Sequence, residues 1–171
     1  MADLEPNSVE AALLDTEWRA AMDREYQSLI KTQTWDLVRL PKGRRAISGK
    51  WVFKAKTDEN GSVVRKKARY VARGFTQIAG VDYDETYSPV ISHTSLRLML
   101  SVAASANLEI YQMDVDTAFL YGTVDEELYM EQPSGFEVMV ESGEKLVCKL
   151  KKSIYGLKQS GRCWWKNLDC F

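Results

Sequence analysis

Two β-rich segments joined by a short polar turn constrain the fold more than any other feature of the sequence. "KWVFKAK" and "SVVRKKARYVARG" are rich in β-branched and aromatic residues, and "TDENG" separates them. Asn60-Gly61 is a strong turn dipeptide because both residue types tolerate positive φ. The sequence therefore predicts a long β-hairpin over residues 50–73.

Positive charge is concentrated around this hairpin. The whole chain has a net charge of −1, but residues 39–73 hold twelve Lys or Arg against two acids, so this segment is +10 and the remainder is −11. Strand alternation predicts that Lys54 and Lys56 share one face of the first strand, and that Arg69, Val71 and Arg73 share one face of the second. Such a face suits a phosphate backbone. The charge alone also fits a solvated edge hairpin whose lysines deter aggregation.

The other segments predict helices mixed with short strands. Residues 15–31 read as a helix with Asp15 as its N-cap, because Trp18, Met22 and Leu29 recur at helical spacing. A second helix is predicted over residues 94–106, capped by Thr94 or Ser95, and a third near the C-terminus. Strands are predicted at residues 34–38, 108–115, 128–131 and 145–150. This order predicts an α+β fold with an antiparallel sheet and packed helices.

The apolar positions of the second helix predict how it packs. Leu96, Met99, Leu100 and Ala103 recur at three- to four-residue spacing, which predicts that this face meets a core.

Composition excludes several kinds of site. Cys148, Cys163 and Cys170 lack CxxC spacing, and His93 is the only histidine. A disulfide framework, a mixed Cys/His zinc site and a Ser/His/Asp triad are therefore disfavoured. No apolar run approaches the ~20 residues that span a bilayer, and the N-terminus lacks the features of a secretory signal. We expect an intracellular protein without membrane contact.

Two aspartates stand out inside the apolar run "YQMDVDTAFLYG". Asp114 and Asp116 follow the predicted strand, and alternation places them on one face. Carboxylates at a strand end suit a hard divalent cation such as Mg²⁺. A D-x-D pair is also common as surface decoration, so the pair alone leaves both interpretations open.

Five blocks in order resemble the reverse transcriptase of copia-type retrotransposon polyproteins. The blocks are "KWVFKAKTDENGSVVRKKARYVARGFTQIAGVDYDETYSPV", "SLRLMLSVAA", "QMDVDTAFLYG", "LYMEQPSGF" and "SIYGLKQSGRCWW". The resemblance runs from about Trp18 to the last residue. It implies a right-hand polymerase fold, with a lead-in at residues 1–17 and a reverse transcriptase domain at 18–171. Within that domain, residues 35–90 would form the fingers and residues 91–171 part of the palm.

The resemblance also implies residue roles in template-directed nucleotidyl transfer. Asp114 would carry the first catalytic, metal-binding carboxylate, with the Val115 carbonyl in the Mg²⁺ or Mn²⁺ shell and Asp116 as a weaker ligand. Lys56 and Arg69 would grip the triphosphate, with Lys54 as the alternative to Lys56. The remaining implied nucleotide contacts are Phe119, Tyr155 and Gly156, and the implied nucleic-acid contacts are Lys54, Arg65, Lys66, Lys67, Arg73 and Lys158.

Phosphoryl transfer agrees with these residue types, because it needs positioning and charge neutralisation rather than a histidine. The resemblance implies a primer–template of RNA or DNA and deoxynucleoside triphosphates as partners. It implies a location in the cytoplasm, in virus-like particles, or in the nucleus.

The family pattern also includes a second acidic pair in a Y-x-D-D hairpin after "YGLKQS", and no Y-x-D-D occurs in these 171 residues. We therefore expect a domain that is truncated before this hairpin and inactive alone. A missing C-terminal half or other polyprotein products would then be its partners. The alternative is a nucleic-acid-binding remnant without catalysis. Gly161, where the family usually has proline, is expected to soften the start of the last helix.

Overall fold

The computed structural model describes residues 4–140 and 143–170. Its elements mix helices with antiparallel strands, as the sequence predicts. In chain order they are α1 (Val9–Leu14), α2 (Thr16–Lys31), β1 (Trp35–Val38), β2 (Gly49–Thr57), β3 (Val63–Ala72), a 3-10 turn (Gly74–Thr76), α3 (His93–Ser105), a 3-10 helix (Ala118–Tyr121), β4 (Tyr129–Met130), β5 (Val147–Leu150) and α4 (Ser160–Leu168). Among the described residues, no helix is both long and apolar enough to cross a membrane.

The predicted hairpin is confirmed as the antiparallel pair β2–β3. Its register runs from Gly49 opposite Ala72 to Thr57 opposite Val63. At the turn, Gly61 has φ +81°, and the Asp58 carboxylate accepts hydrogen bonds from the backbone amides of residues 60 and 62, at 2.9 and 2.8 Å. Local turn chemistry therefore sets the register of the hairpin.

Helix α2 is also confirmed, and it packs along β3. The Asp15 carboxylate accepts hydrogen bonds from the amides of Glu17 and Trp18, as an N-cap does. Trp18 meets Phe53 of β2 edge-on, with ring centroids 5.4 Å apart. The lead-in segment also contains α1, which the sequence analysis did not predict, and α1 buries Ala12 completely.

A second antiparallel sheet has the order β1–β5–β4. Trp35 lies opposite Leu150, and Tyr129 lies opposite Lys149. The fully buried Ile47 links this sheet to the hairpin, because it exchanges backbone hydrogen bonds with the two residues that flank Met130 and lies two residues before β2 begins. The core therefore lies between α2, the hairpin and this sheet.

The predicted boundary and packing of α3 are wrong. Ser92 caps the helix through its hydroxyl, which accepts from the Ser95 amide at 3.1 Å, rather than Thr94 or Ser95. The predicted core residues Leu96, Met99 and Leu100 are 41%, 62% and 44% exposed, and Ala103 is only half-buried. Helical spacing identifies an apolar face but not the surface that covers it, and none of the described residues buries this one.

The predicted strand over residues 108–115 is also wrong. In the part of the chain that the structure describes, this segment has no regular secondary structure and pairs with no strand. Leu108 and Ile110 are 60% and 58% exposed. Alternation gives a period of two, but a strand also needs a neighbour for its backbone groups.

The last predicted helix is confirmed as α4. The expectation that Gly161 softens its start is untested, but Gly161 has a packing role. A Cβ there would lie 2.8 Å from the Ser88 hydroxyl oxygen. Glycine therefore lets the segment before α3 approach the first turn of α4 closely.

Candidate functional site

Six cationic side chains share one face of the hairpin. Cross-strand partners point to the same side of a sheet. The register places Lys54 opposite Lys67, Lys56 opposite Arg65, and Val52 opposite Arg69. With Lys50, which lies opposite Val71, this set forms the basic face: Lys50, Lys54, Lys56, Arg65, Lys67 and Arg69. The opposite face packs on the core, so the basic face is the side that the hairpin presents outward.

Charge accumulates on the basic face without much internal compensation. Partial burial lowers the pKa of Lys67, and the neighbouring cations of Arg69, Arg65 and Lys56 lower it further. Among the described residues, only Lys54 of the basic face forms an ion pair, with Glu5 at 3.1 Å. Such a surface attracts polyanions because each bound phosphate relieves this repulsion.

Lys66 lies on the other face of β3, opposite Ala55. Its ammonium contacts Asp15 at 3.0 Å and Glu17 at 2.9 Å, and its side chain is only 17% exposed. Lys66 therefore anchors the start of α2, and the structure does not bring it to the basic face.

The two predicted triphosphate ligands are not neighbours. Lys56 lies four strand positions beyond Val52, the partner of Arg69, which is roughly 13 Å along a strand. Lys54 is two positions closer. Lys56 therefore lies farther from Arg69 along the hairpin than Lys54 does. Arg73 and Lys158 are both exposed, just beyond β3 and just before α4.

Tyr155 and Gly156 dock against the end of β3. The Ala72 amide donates a hydrogen bond to the Tyr155 carbonyl at 2.8 Å. Gly156 has φ +92°, and a Cβ there would lie 2.1 Å from the Ala72 carbonyl oxygen. Only glycine fits this crossing, so the "YG" dipeptide is a structural requirement of the site as well as a predicted contact.

Arg69, Tyr155 and Phe119 form a continuous cluster. The Arg69 guanidinium carbon lies 4.6 Å from the centroid of the Tyr155 ring. The Tyr155 and Phe119 rings meet edge-on, with centroids 5.1 Å apart and an interplanar angle of 68°. Burial raises the pKa of Tyr155, and the carboxylates of Glu25 and Asp114 raise it further, whereas Arg69 lowers it. Three predicted nucleotide residues therefore lie together, with the charge of Asp114 within reach.

The 3-10 helix Ala118–Tyr121 positions Phe119. Its middle residue Leu120 is fully buried, and the Ser153 hydroxyl donates to the Phe119 carbonyl at 2.5 Å. Thr117 precedes this helix with φ +56°. The half-buried Phe119 side chain therefore projects from a well-anchored turn beside Tyr155.

The aspartates lie beside this cluster. Asp114, Val115 and Asp116 are exposed in the irregular segment before the 3-10 helix. Asp116 and Thr117 line a groove of about 280 Å³ together with Lys67. Among the described residues, no group of three or more His, Cys, Asp or Glu is placed to hold a metal ion. The structure thus offers two neighbouring carboxylates as oxygen ligands.

Glu25 is a site residue that the sequence analysis missed. It lies on α2, is 8% exposed, and has one carboxylate oxygen, Oε1, buried without a hydrogen-bond partner in the described part of the chain. Burial raises its pKa, whereas the Tyr70 backbone and the cations of Arg69 and Lys67 lower it. Helical spacing could have indicated that Glu25 is buried, because position 25 falls on the apolar stripe between Met22 and Leu29.

Comparisons with known proteins identify the family of this chain. The profile of the family "Reverse transcriptase (RNA-dependent DNA polymerase)" matches residues 32–171. The Retrovirus-related Pol polyprotein from transposon TNT 1-94 of Nicotiana tabacum is 51% identical over 173 residues, covering 99% of this chain and 13% of that protein. The corresponding polyprotein from transposon RE1 of Arabidopsis thaliana is 45% identical, covering 98% of this chain and 11% of that protein.

A more distant relative is the Transposon Ty1-ER2 Gag-Pol polyprotein of Saccharomyces cerevisiae, 34% identical over 88% of this chain and 8% of that protein. No solved structure matches the chain. The chain belongs to the reverse transcriptase (RNA-dependent DNA polymerase) family, which confirms the resemblance to copia-type retrotransposons. It spans only a small part of the plant relatives, 11–13% of their length.

Proposed function

We propose that this chain forms the nucleic-acid- and nucleotide-holding part of an RNA-directed DNA polymerase of a retrotransposon Pol polyprotein. The observation that supports this most directly is the basic face of the hairpin, which leads into the Arg69–Tyr155–Phe119 cluster. A primer–template of RNA or DNA and deoxynucleoside triphosphates are the proposed ligands. In a right-hand arrangement the hairpin corresponds to the fingers, and residues 91–171 to part of the palm.

The basic face would bind phosphates of the nucleic-acid backbone. Lysine and arginine side chains release counterions when they neutralise phosphates, so this binding tolerates sequence and depends on salt. Five of the six cations form no ion pair among the described residues, which leaves their charges available for phosphates. The exposed Arg73 and Lys158 extend the same surface toward α4.

The cluster would hold the incoming nucleotide. Arg69 can bind two oxygens of the triphosphate at once through its planar fork. Its stacking on Tyr155 limits the orientations of the guanidinium before the ligand arrives. Phe119 projects beside Tyr155 at the place proposed for the sugar, where an aromatic ring would exclude a ribose 2′-hydroxyl by its bulk. Tyr155 and Gly156 would line the nucleotide from the side of α4.

The aspartates fit part of a divalent-cation site. Mg²⁺ is commonly bound by one or two carboxylates, with water and substrate phosphates completing its shell. Asp114, the Val115 carbonyl and Asp116 supply oxygens of this kind next to the proposed nucleotide. Mg²⁺ or Mn²⁺ held there would neutralise charge on the phosphates during nucleotidyl transfer. Asp114 and Asp116 would therefore place negative charge where the metal and the primer terminus meet.

Binding of a labelled primer–template, measured by fluorescence anisotropy across a salt series, tests the proposal. We expect the logarithm of the affinity to fall linearly with the logarithm of salt concentration. The double variant Lys56→Ala/Arg69→Ala should bind more weakly and lower the slope by about two. Arg19→Ala/Lys31→Ala, which removes two exposed cations from α2, is the matched control. Binding that ignores salt, or equal losses in both double variants, would contradict the proposed surface.

Nucleic-acid binding without catalysis is the second candidate function. The observation that favours it is the intact basic face, combined with the lack of any group of three or more His, Cys, Asp or Glu placed to hold a metal ion among the described residues. Primer extension with Mg²⁺ and deoxynucleoside triphosphates separates the two functions. Incorporation that Asp114→Asn abolishes supports the polymerase, whereas salt-dependent binding without incorporation supports the binding function.

A further inference from the structure

Glu25 is a charged residue held in the interior next to the basic face. Its side chain faces β3 from α2 and is 8% exposed, although nothing in the local helix requires an acid there. An ionised carboxylate in the interior is destabilising unless other groups compensate its charge. Oε1 has no hydrogen-bond partner among the described residues, so the charge is stabilised by the Tyr70 backbone, which hydrogen-bonds to the carboxyl, and by the neighbouring cations Arg69 and Lys67.

Helix α2 lies along the free edge of β3, and this position brings Glu25 to the cations. Arg24 reaches the Lys66 carbonyl at 3.4 Å, and the Tyr70 backbone interacts with the Glu25 carboxyl. Further along the same edge, the Ala72 amide donates to the Tyr155 carbonyl. Alternate residues of β3 thus turn their backbone groups toward α2 and toward residue 155. Glu25 therefore lies beside Tyr70, which follows Arg69 in the strand.

The cations nearest to Glu25 are Lys67 and Arg69. Lys67 and Glu25 line the same groove, and both cations lower the pKa of Glu25. Neither cation forms an ion pair among the described residues. Asp116 lines the same groove as Lys67 but is exposed, so Glu25 is the buried acidic group beside these cations. The Arg69 guanidinium also stacks on Tyr155 at 4.6 Å. It therefore has an aromatic ring on one side and a buried negative charge within electrostatic range.

We propose that Glu25 is a positioning residue for the nucleotide site, whose buried charge holds the Arg69 guanidinium against Tyr155 in the orientation that receives phosphate. This inference rests on the proposed function, because it assumes that Arg69 binds the triphosphate. Oε1 is shielded from solvent, so Glu25 acts through Arg69 and does not touch the ligand. Tyr155 also hydrogen-bonds to the Arg69 side chain, and the negative charge of Glu25 would add to this contact against the repulsion between Arg69 and Lys67.

One substitution distinguishes a positioning role of Glu25 from a simple electrostatic effect, because the two roles predict opposite changes in the affinity for anions. Glu25→Gln keeps the shape of the side chain and a hydrogen-bond acceptor but removes the negative charge. By Coulomb's law alone, loss of a negative charge near an anion site should tighten anion binding. If Glu25 positions Arg69, the same change should weaken binding, because the released guanidinium must be ordered again when the ligand binds.

The experiment measures binding of inorganic tripolyphosphate and of a deoxynucleoside triphosphate to the full chain by isothermal titration calorimetry at fixed low ionic strength. We expect Glu25→Gln to weaken binding of both roughly three- to tenfold, a size typical of one ordinary hydrogen bond. Asp23→Asn is the matched control, since it removes the same charge from the exposed side of α2, and it should leave binding unchanged or slightly tighter. Glu25→Asp retains the charge and should recover part of the loss.

Thermal unfolding of each variant separates this effect from a loss of folding. Glu25→Gln should unfold at the same temperature as the parent chain or higher, because it removes a buried charge. Unchanged or tighter tripolyphosphate binding in folded Glu25→Gln would overturn the inference. If that variant cannot be obtained folded, binding by Glu25→Asp equal to the parent chain overturns it, and weaker binding supports it.

Failure of the proposed nucleotide site has a different signature. Arg69→Ala would then bind tripolyphosphate as well as the parent chain does, or the parent chain would not bind it. The role of Glu25 is wrong by itself if Arg69→Ala weakens binding and Glu25→Gln does not.

Discussion

Gly156 illustrates how a single backbone position shapes the candidate site. The residue crosses the end of β3 in a left-handed conformation, and the space that a side chain would need is occupied by the Ala72 carbonyl. Gly74 makes the reciprocal approach, since a Cβ on Gly74 would lie 2.1 Å from the Gly156 carbonyl oxygen. These contacts hold Tyr155 where its ring meets Arg69, so packing of the backbone determines the placement of the side chain.

Gly156→Ala should therefore destabilise the fold by about 2–4 kcal/mol, through backbone strain at positive φ and displacement of the Ala72 strand end. Gly61→Ala is the matched control, because Gly61 also has positive φ but has open space around its Cβ position. It should lose only about 1 kcal/mol. Equilibrium denaturation with urea measures both values, and equal losses would contradict the close approach at Gly156.

Helix α2 shows how one element can serve both the fold and the site. Its apolar stripe covers the core, and Lys66 of β3 forms ion pairs at its N-terminus. The helix also lies along the free edge of β3 and covers it. Edge strands are prone to pair with other chains unless they are covered. The same helix places Glu25 in the interior next to the candidate site. Substitutions that tilt α2 should therefore also affect the position of Arg69.

The N-cap of α2 predicts a pH dependence of stability. The hydrogen bond from the Trp18 amide lowers the pKa of Asp15, and the Lys66 ammonium lowers it further. Because the folded-state pKa lies below the unfolded value of about 3.9, the carboxylate stabilises the fold above that pH. This contribution is lost as the pH falls through the folded-state pKa.

Asp15→Ala should therefore lower the melting temperature most at neutral pH, and its difference from the parent chain should shrink in acid. Asp15→Asn retains an acceptor for the cap and should lose less at neutral pH. Melting curves across the acid range measure both variants, with the exposed Asp23→Asn as control. A constant difference between Asp15→Ala and the parent chain at every pH would contradict the role of the charge.

Over the whole molecule, a packed core and an open apolar surface lie side by side. The core joins α2, the hairpin and the β1–β5–β4 sheet, and it includes the buried Cys148. By contrast, α3 and the segment before Asp114 expose several large apolar side chains, among them Leu98, Met99 and Met113 at 65%, 62% and 90%. The stability of the molecule therefore comes mainly from this core, and not from α3 or the segment before Asp114.

The reactivity of the three cysteine thiols should differ according to their burial. Burial raises the pKa of Cys148 to about 12 and that of Cys163 to about 11, whereas Cys170 is exposed. Because the thiolate is the reactive form, iodoacetamide at neutral pH should label Cys170 in the native protein and spare the other two. Mass spectrometry of the peptides measures labelling, and all three should react alike in denaturant. Rapid native labelling of Cys148 would contradict its burial.

Local chemistry explains most of what could be predicted from the sequence. The hairpin was predictable because Asn60-Gly61 sets the turn and the period of two sets the faces. Helix α2 was predictable because Asp15 caps a clear apolar stripe. For the candidate site, the ordered sequence blocks identified Arg69, Phe119 and Tyr155, which the structure brings together. The ion pairs of Lys66 with Asp15 and Glu17 and the burial of Glu25 could not be predicted, because their surroundings come from distant segments.

The sequence by itself therefore determined the family, through ordered blocks along the chain. It also determined the hairpin with its basic face, the capped helix and the Asp114–Asp116 pair, since these depend on neighbours within a few residues. Only the tertiary structure decided that β1 pairs with β5, that Glu25 lies beneath the Arg69 side of β3, and that α3 leaves its apolar face open. Those outcomes depend on which distant surfaces meet. The periodicity of a segment specifies which of its faces is apolar, but the partner of that face is chosen by the packing of the whole chain.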